Sequence, residues 1–235
     1  MIHHKHIWDY CRKFCLRFYF YKQAIVAVWG AIFTLVMIAH ATKPYQALID
    51  RSKALYGMDA AALVEHWSTL FQQNPLTEKN TLYEVNNFFN QNIQFVDDME
   101  SWGQEDYWAT PLQTMGIQAG DCEDFSIAKY FTLLKLGFPA EKLRLTYVKA
   151  QLDSGAQAHM VLAYYANEQS EPLILDNIIP DILPASQRID LTPVYSFNAS
   201  GLWLGNSSNS LSQRPETRLS QWLHVLDRMQ QEGFN

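Results

Sequence analysis

An α+β fold is predicted for this 235-residue chain by the order of its segments. Amphipathic helical stripes come first, a run of β-branched and aromatic segments separated by short turns follows, and one amphipathic stripe ends the chain. Helices followed by consecutive strands, without regular alternation, point to antiparallel pairing and to α+β over α/β.

The N-terminal part reads as a leader. Its first 23 residues carry Lys5, Arg12, Lys13, Arg17 and Lys22 against a single acid, Asp9. An apolar run of 16 residues, Ala24 to Ala39, follows, and Ala39-His40-Ala41 closes it. Basic flank, apolar run and Ala-x-Ala site are the three parts of a secretory signal. As a helix the run spans about 24 Å, short of the roughly 30 Å of a bilayer core, yet Trp29, Phe33 and Met37 would also suit an anchor. Residues 1–41 are therefore expected to be either a signal peptide cut after Ala41 or an N-terminal membrane anchor. Both readings leave the positive flank inside and put residues 42–235 outside the cytoplasm.

Residues 42–235 are long enough for one domain with a real core. With the leader set aside they hold 13 basic and 23 acidic residues, a net charge of −10. An acidic body without basic runs excludes the clustered Lys and Arg that nucleic-acid binding needs. It suits a cation or a charged protein partner.

Met58 to Gln72 places Ala61, Leu63, Val64, Trp67, Leu70 and Phe71 on a helical stripe, with Asp59 as its expected cap. Thr77 to Gln91 repeats the pattern with Leu82, Val85, Phe88 and Phe89. From Ile93 to Pro111 the texture becomes irregular, acidic and aromatic, as expected of an ordered loop around a site. Cys122 to Leu136 is the clearest helix: Asp121 is its expected N-cap, Asp124 takes the third position of a capping box, and Gly137 stops it. Apolar residues fall on most of its faces, so it is expected to be buried. Leu143–Lys149, Ala158–Tyr165, Pro172–Leu175 and Pro193–Phe197 are the expected strands. The polar stretch from Gly205 to Gln213 reads as a mobile surface loop, and Thr217 to Gln231 as the last helix.

Chemistry concentrates at Cys122. Cys11 and Cys15 belong to the leader, so an exported body keeps one thiol, which cannot form an intramolecular disulfide and is open to oxidation. A nucleophile explains its retention, and a helix N-terminus favours a thiolate; a buried small hydrophobe is the plain alternative. His66, His159 and His224 are the histidines of the body. His66 and His224 fall in amphipathic helices and suit packing. His159 opens a strand, and Asp176 follows the apolar Leu173-Ile-Leu175, where a carboxylate can reach a neighbouring strand. Cys122 would attack an acyl carbon, His159 would hold the thiolate and protonate the leaving group, and Asp176 would orient the imidazole.

The acids Asp121, Glu123 and Asp124 oppose that chemistry, because carboxylates beside a thiol disfavour its thiolate. Helix capping accounts for Asp121 and Asp124 and leaves Glu123 less explained. A divalent cation would reverse the local field, and hard oxygen ligands suit calcium.

Gly120-Asp-Cys-Glu-Asp-Phe-Ser-Ile-Ala-Lys-Tyr130, Ala158-His-Met-Val-Leu162 and Leu175-Asp-Asn177 resemble the bacterial transglutaminase-like cysteine proteinases. Trp108-Ala-Thr-Pro111, Leu143-Arg-Leu-Thr-Tyr-Val148, Pro193-Val-Tyr-Ser-Phe-Asn198 and Gly201-Leu-Trp203 extend the likeness over residues 50–230, in order. The resemblance implies a papain-like, transglutaminase-like core with N-terminal helices and a nucleophile helix on an antiparallel sheet, with Cys122, His159 and Asp176 as the triad. Within the family the chain resembles the periplasmic, calcium-dependent adhesin proteases. That likeness implies calcium ligation by Asp121 and Glu123, joined by Asp124, with backbone carbonyls, waters or the Ile93–Asp106 loop completing a shell of about six to eight oxygens. It also implies cleavage near the N-terminus of a large surface adhesin, dispersal of the biofilm, and sequestration by an inner-membrane cyclic-di-GMP receptor. Acyl transfer to an amine, another amidase reaction, or a non-catalytic binding module are the other functions this residue set allows. Trp102 is a candidate oxyanion donor or a wall of the cleft.

Overall fold

The computed structural model describes residues 45–72, 77–205 and 220–234. The 1–41 leader, the 206–213 part of the polar stretch and the expected Thr217 start of the last helix lie outside the described residues. No helix among the described residues is long and apolar enough to cross a membrane.

The helical half starts with α1 (Gln46–Tyr56), of which only Leu48, Ile49 and Ser52 are buried. Gly57 turns the chain into α2 (Met58–Thr69) with φ 94° and ψ −170°, a conformation open to glycine and strained for other residues. Gly57, not Asp59, therefore occupies the N-cap of α2; Asp59 sits in the first turn, where its charge suits the helix dipole. In α3 (Glu78–Asn92) the Thr77 hydroxyl accepts the Asn80 N–H at 3.3 Å, and the expected stripe of Leu82, Val85, Phe88 and Phe89 is buried.

The 93–111 stretch is more regular than its composition suggests. β1 (Gln94–Phe95) pairs in parallel with β2 (Ala119–Gly120), and α4 (Asp98–Ser101) is a single turn. Thr110 then opens α5 (Pro111–Ile117) with a reciprocal cap. Its hydroxyl accepts the Gln113 N–H at 3.1 Å, and the Gln113 side-chain carbonyl accepts the Thr110 N–H at 2.9 Å. β2 leads directly into α6 (Cys122–Lys135).

Six strands form one antiparallel sheet: β3 (Leu143–Leu152), β4 (Gly155–Tyr164), β5 (Leu173–Leu175), β6 (Leu183–Pro184), β7 (Leu191–Phe197) and β8 (Leu202–Leu204), in the order β6-β5-β4-β3-β7-β8. The β3–β4 hairpin sets the register, with Val148 opposite His159. Met160, Leu162 and Tyr164 join the main core, whereas Val161 and Ala163 join a small cluster with Val148 and Ile174, as alternation along a strand requires.

α6 runs through the main core. Phe125, Ile127, Ala128, Tyr130 and Leu133 are all buried, and so are Lys129 and Thr132. The Trp67 indole donates to Thr132 Oγ1 at 2.9 Å, tying α2 to α6. On the other side α7 (Ser220–Glu232) buries Trp222, Val225 and Met229, and Trp222 stacks on Phe131 with ring centroids 5.4 Å apart. A helix fixed on all sides gives its first residue, Cys122, a defined position.

Candidate active site

A cleft of about 1040 Å³ opens at the N-terminus of α6. Cys122, His159 and Met160 line it beside Asp121 and Glu123, and Tyr147 and Tyr195 form part of its wall. The two tyrosine rings stack with centroids 5.2 Å apart. The half-buried Cys122 thiol donates to Glu123 Oε2 at 3.0 Å. Burial and then the carboxylates of Glu123 and Asp121 push this thiol well above its ordinary value, opposed by the Met160 N–H. In that state the sulfur holds its proton and is a poor nucleophile.

His159 lines the cleft, and Asp176 lies buried behind it. His159 Nε2 lies 2.8 Å from Asp176 Oδ1, and both side chains are almost fully enclosed. Nδ1 is then the nitrogen left for the cleft. Asp176 Oδ1 also accepts the N–H groups of Asn177 at 2.7 Å and Ile178 at 3.1 Å. Its other oxygen, Oδ2, accepts from Arg188 Nη2 at 2.7 Å. Burial alone would raise the Asp176 carboxyl, but the hydrogen bonds and charges of His159 and Arg188 outweigh it and hold the group down to about 2.

Asp176 is fixed through its main chain as well. Its carbonyl accepts from Asn90 Nδ2 at 2.8 Å and from Lys129 Nζ at 3.1 Å. Lys129 comes from α6 itself, so the helix that begins with Cys122 also grips the acid. Burial lowers the Lys129 ammonium to about 7, against the charge of Asp176, which raises it.

The acids gather more closely than their spacing shows. Ligand atoms of Asp98, Asp121 and Asp124 lie within 4.8 Å of one another, and so do those of Asp98, Asp106 and Glu123 and of Asp121, Cys122 and Glu123. Asp98 is raised to about 6, chiefly by burial, with the Tyr107 N–H opposing and Glu123 adding to it. Asp121 is raised to about 10 by burial and by the charges of Glu123 and Asp124. Two buried carboxylate oxygens here, Asp98 Oδ1 and Asp121 Oδ1, have no hydrogen-bond partner among the described residues. Orphaned, mutually repelling oxygens of this kind fit a hard divalent cation, which would satisfy both and cancel the repulsion.

Asp124 is the least available of the three acids beside the thiol. It is fully buried, its Oδ1 accepts the Ala109 N–H at 2.7 Å, and its Oδ2 accepts the Asp121 N–H at 3.4 Å. The second contact is the N3-to-N-cap half of the expected capping box.

Of the residues expected from sequence, Cys122 and His159 share the cleft, and His159 pairs with Asp176. No hydrogen bond joins Cys122 to His159 among the described residues; the thiol turns to Glu123 instead. Trp102 packs against Tyr107 at 4.7 Å and is not among the described residues that line the cleft. His66 packs against Phe88 at 5.1 Å, and His224 is exposed on α7. Lys129 and Arg188 are the site residues that sequence does not single out, whereas Asp98 and Asp106 lie in the 93–106 loop expected to surround the site.

A helix that begins with a cysteine and shares one cleft with a histidine of an antiparallel sheet is the layout of the transglutaminase-like class. Residues 64–192 match the family model of the bacterial transglutaminase-like cysteine proteinases, and the chain belongs to that family. It is similar to solved structures of LapG from Legionella pneumophila. The EGTA-treated form is 40% identical with a TM-score of 0.68, over 77% of this chain and 95% of that one. The calcium-bound form is 39% identical with a TM-score of 0.67, over 77% of this chain and 98% of that one. Among curated protein sequences none matches the chain.

Proposed function

We propose that this chain is a periplasmic, calcium-dependent cysteine endopeptidase of the LapG type, with Cys122, His159 and Asp176 as its triad. The observation that carries the reading is the buried His159–Asp176 pair, 2.8 Å apart, whose histidine lines the same cleft as Cys122. His159 Nδ1 takes the thiol proton, and the Cys122 sulfur attacks the scissile carbonyl carbon. The resulting imidazolium, stabilised by the Asp176 carboxylate, gives its proton to the departing amine and leaves a thioester on Cys122. A water molecule, deprotonated by the same imidazole, then releases the acid product and restores the thiol.

Asp121 and Glu123, joined by Asp98, Asp106 and Asp124, would hold the calcium ion. When bound, the ion supplies positive charge that offsets the carboxylates around the thiol. Two observations support this: the orphaned oxygens of Asp98 and Asp121, and the Cys122–Glu123 hydrogen bond that ties up the thiol proton.

The likeness to LapG extends the reading to the substrate, the N-terminal region of a large surface adhesin, whose cleavage releases it and disperses the biofilm. An inner-membrane cyclic-di-GMP receptor would sequester the enzyme. The basic, then apolar residues 1–41 support export, as signal peptide or anchor.

The test mixes the purified full chain with N-terminal adhesin fragments, in calcium and in EGTA. Cleavage in calcium that is absent in EGTA and in Cys122→Ala is expected. Amine incorporation with ammonia release and no cleavage would replace the protease with a transferase, and binding without either reaction would make the chain a docking module.

A further inference from the structure

Arg188 stands outside the motifs that carry the family likeness, yet its guanidinium is enclosed within the active-site network. Its side chain is 1% exposed. Nη2 donates to Asp176 Oδ2 at 2.7 Å and to Asp190 Oδ2 at 2.8 Å, while Nε donates to Asp190 Oδ1 at 3.0 Å. The fork is thus clamped on the half-exposed Asp190 and reaches inward with one nitrogen to the buried acid.

We propose that Arg188 is a positioning residue for the hydrolytic reaction, keeping the Asp176 carboxylate ionised and turned so that His159 presents Nδ1 to the cleft. This rests on the cysteine-protease reading above.

The two oxygens of Asp176 divide the work. Oδ1 accepts from His159, Asn177 and Ile178, and the main-chain carbonyl is held by Asn90 and Lys129. Oδ2 has Arg188 alone among the described residues. Without the guanidinium a buried oxygen is orphaned, and the cheapest remedy is for it to bind a proton. A neutral carboxyl no longer stabilises an imidazolium, and its hydroxyl competes for the geometry that fixes the ring tautomer. The titratable and charged groups that face Asp176 are His159 from β4, Lys129 from α6, and Arg188 with Asp190 from the segment before β7. Lys129 sits at the carbonyl, not the carboxylate, so it does not replace Arg188. Because the backbone has its own anchors, loss of Arg188 disturbs the carboxylate before it disturbs the fold.

The test measures peptide cleavage by the full chain in calcium together with 15N spectra of the His159 imidazole. Arg188→Ala is expected to lower kcat about a hundredfold with KM within about threefold. That is less than the roughly 10⁴-fold cost of disabling the orienting acid itself in such triads. Guanidinium ion should restore activity saturably where methylammonium does not, and the His159 15N pattern should change. Arg188→Lys keeps the charge without the fork and should lose about tenfold; it and Asp190→Asn carry the test if the alanine variant does not fold. Full kcat in Arg188→Ala, with Cys122→Ala inactive on the same substrate, overturns the inference and leaves the protease reading standing. Activity lost only in step with the folded fraction, with no rescue and an unchanged His159 spectrum, also overturns it. Cleavage that persists in Cys122→Ala overturns the protease reading, and the His159 spectra then judge the hold of Arg188 on their own.

Discussion

The Cys122 thiol donates its hydrogen bond to Glu123 Oε2, 3.0 Å away, although His159 lines the same cleft. The contact joins two needs that conflict. A nucleophile must give up its proton, and a neighbouring carboxylate makes that harder. Glu123 belongs at the same time to an acid cluster that fits a cation, so filling that site is the natural way to free the sulfur.

Removal of the metal is expected to cost both activity and stability. EGTA should abolish cleavage and lower the melting temperature, and readdition of calcium should restore both. Thermal unfolding and cleavage measured on one sample check this; a melting temperature indifferent to calcium would count against the site.

Asp98 and Asp121 are expected to be ligands because each has a buried oxygen without a partner among the described residues. Asp98→Asn or Asp121→Asn removes a charged hard oxygen, and calcium affinity should fall about 10- to 100-fold. Isothermal titration calorimetry reads this directly. An Asp98→Asn variant that binds as tightly as the parent would place Asp98 outside the shell.

Gly120 precedes the site in β2, and a Cβ there would come within 2.7 Å of Asp124 Cβ and Oδ2. Asp124 is fully buried and clamps Ala109, so it has little room to withdraw. Gly120→Ala should therefore destabilise by about 1–3 kcal/mol and weaken calcium binding. Urea unfolding and calorimetry of the same variant separate the two effects.

Asp176 predicts an acid limb of stability. Its folded value of about 2 lies below its ordinary 3.8, so its contribution is complete above about pH 4 and is lost as pH falls towards 2. The amount is about 2 kcal/mol. Asp98, raised to about 6, has the opposite sign: its contribution grows as pH falls through 6 and is complete near 3.8, above the window in which Asp176 acts. Denaturant unfolding between pH 5 and 2 should show a limb that is flatter in Asp176→Asn.

Much of this site is legible in sequence because its chemistry is local. Cys122 starts a helix with a visible cap and stop, His159 falls within a segment of strand character, and Asp176 follows an apolar triplet. The acids beside the thiol are adjacent in the chain. The expected strands Leu143–Lys149 and Ala158–Tyr165 extend further, to Leu152 and back to Gly155, because pairing across a tight hairpin orders polar residues that pattern alone leaves out.

What sequence hides is long-range. Arg188 lies in an irregular stretch and meets Asp176 only because β4, β5 and the segment before β7 converge. Lys129 sits on a helix that is apolar on most faces, and only the fold shows its ammonium at a carbonyl of β5's end. α1 has a weak stripe, and α5, at seven residues, is too short for one, so neither stands out by periodicity.

The central claim is that Cys122 becomes a nucleophile when the acid cluster holds calcium. Alkylation of Cys122 by iodoacetamide, followed on its peptide by mass spectrometry in calcium and in EGTA, tests it without any substrate. A rate at least about tenfold higher in calcium, lost in His159→Ala, is expected where a thiolate is stabilised by its surroundings. Equal rates with and without calcium, in a protein shown to bind the ion, would contradict it.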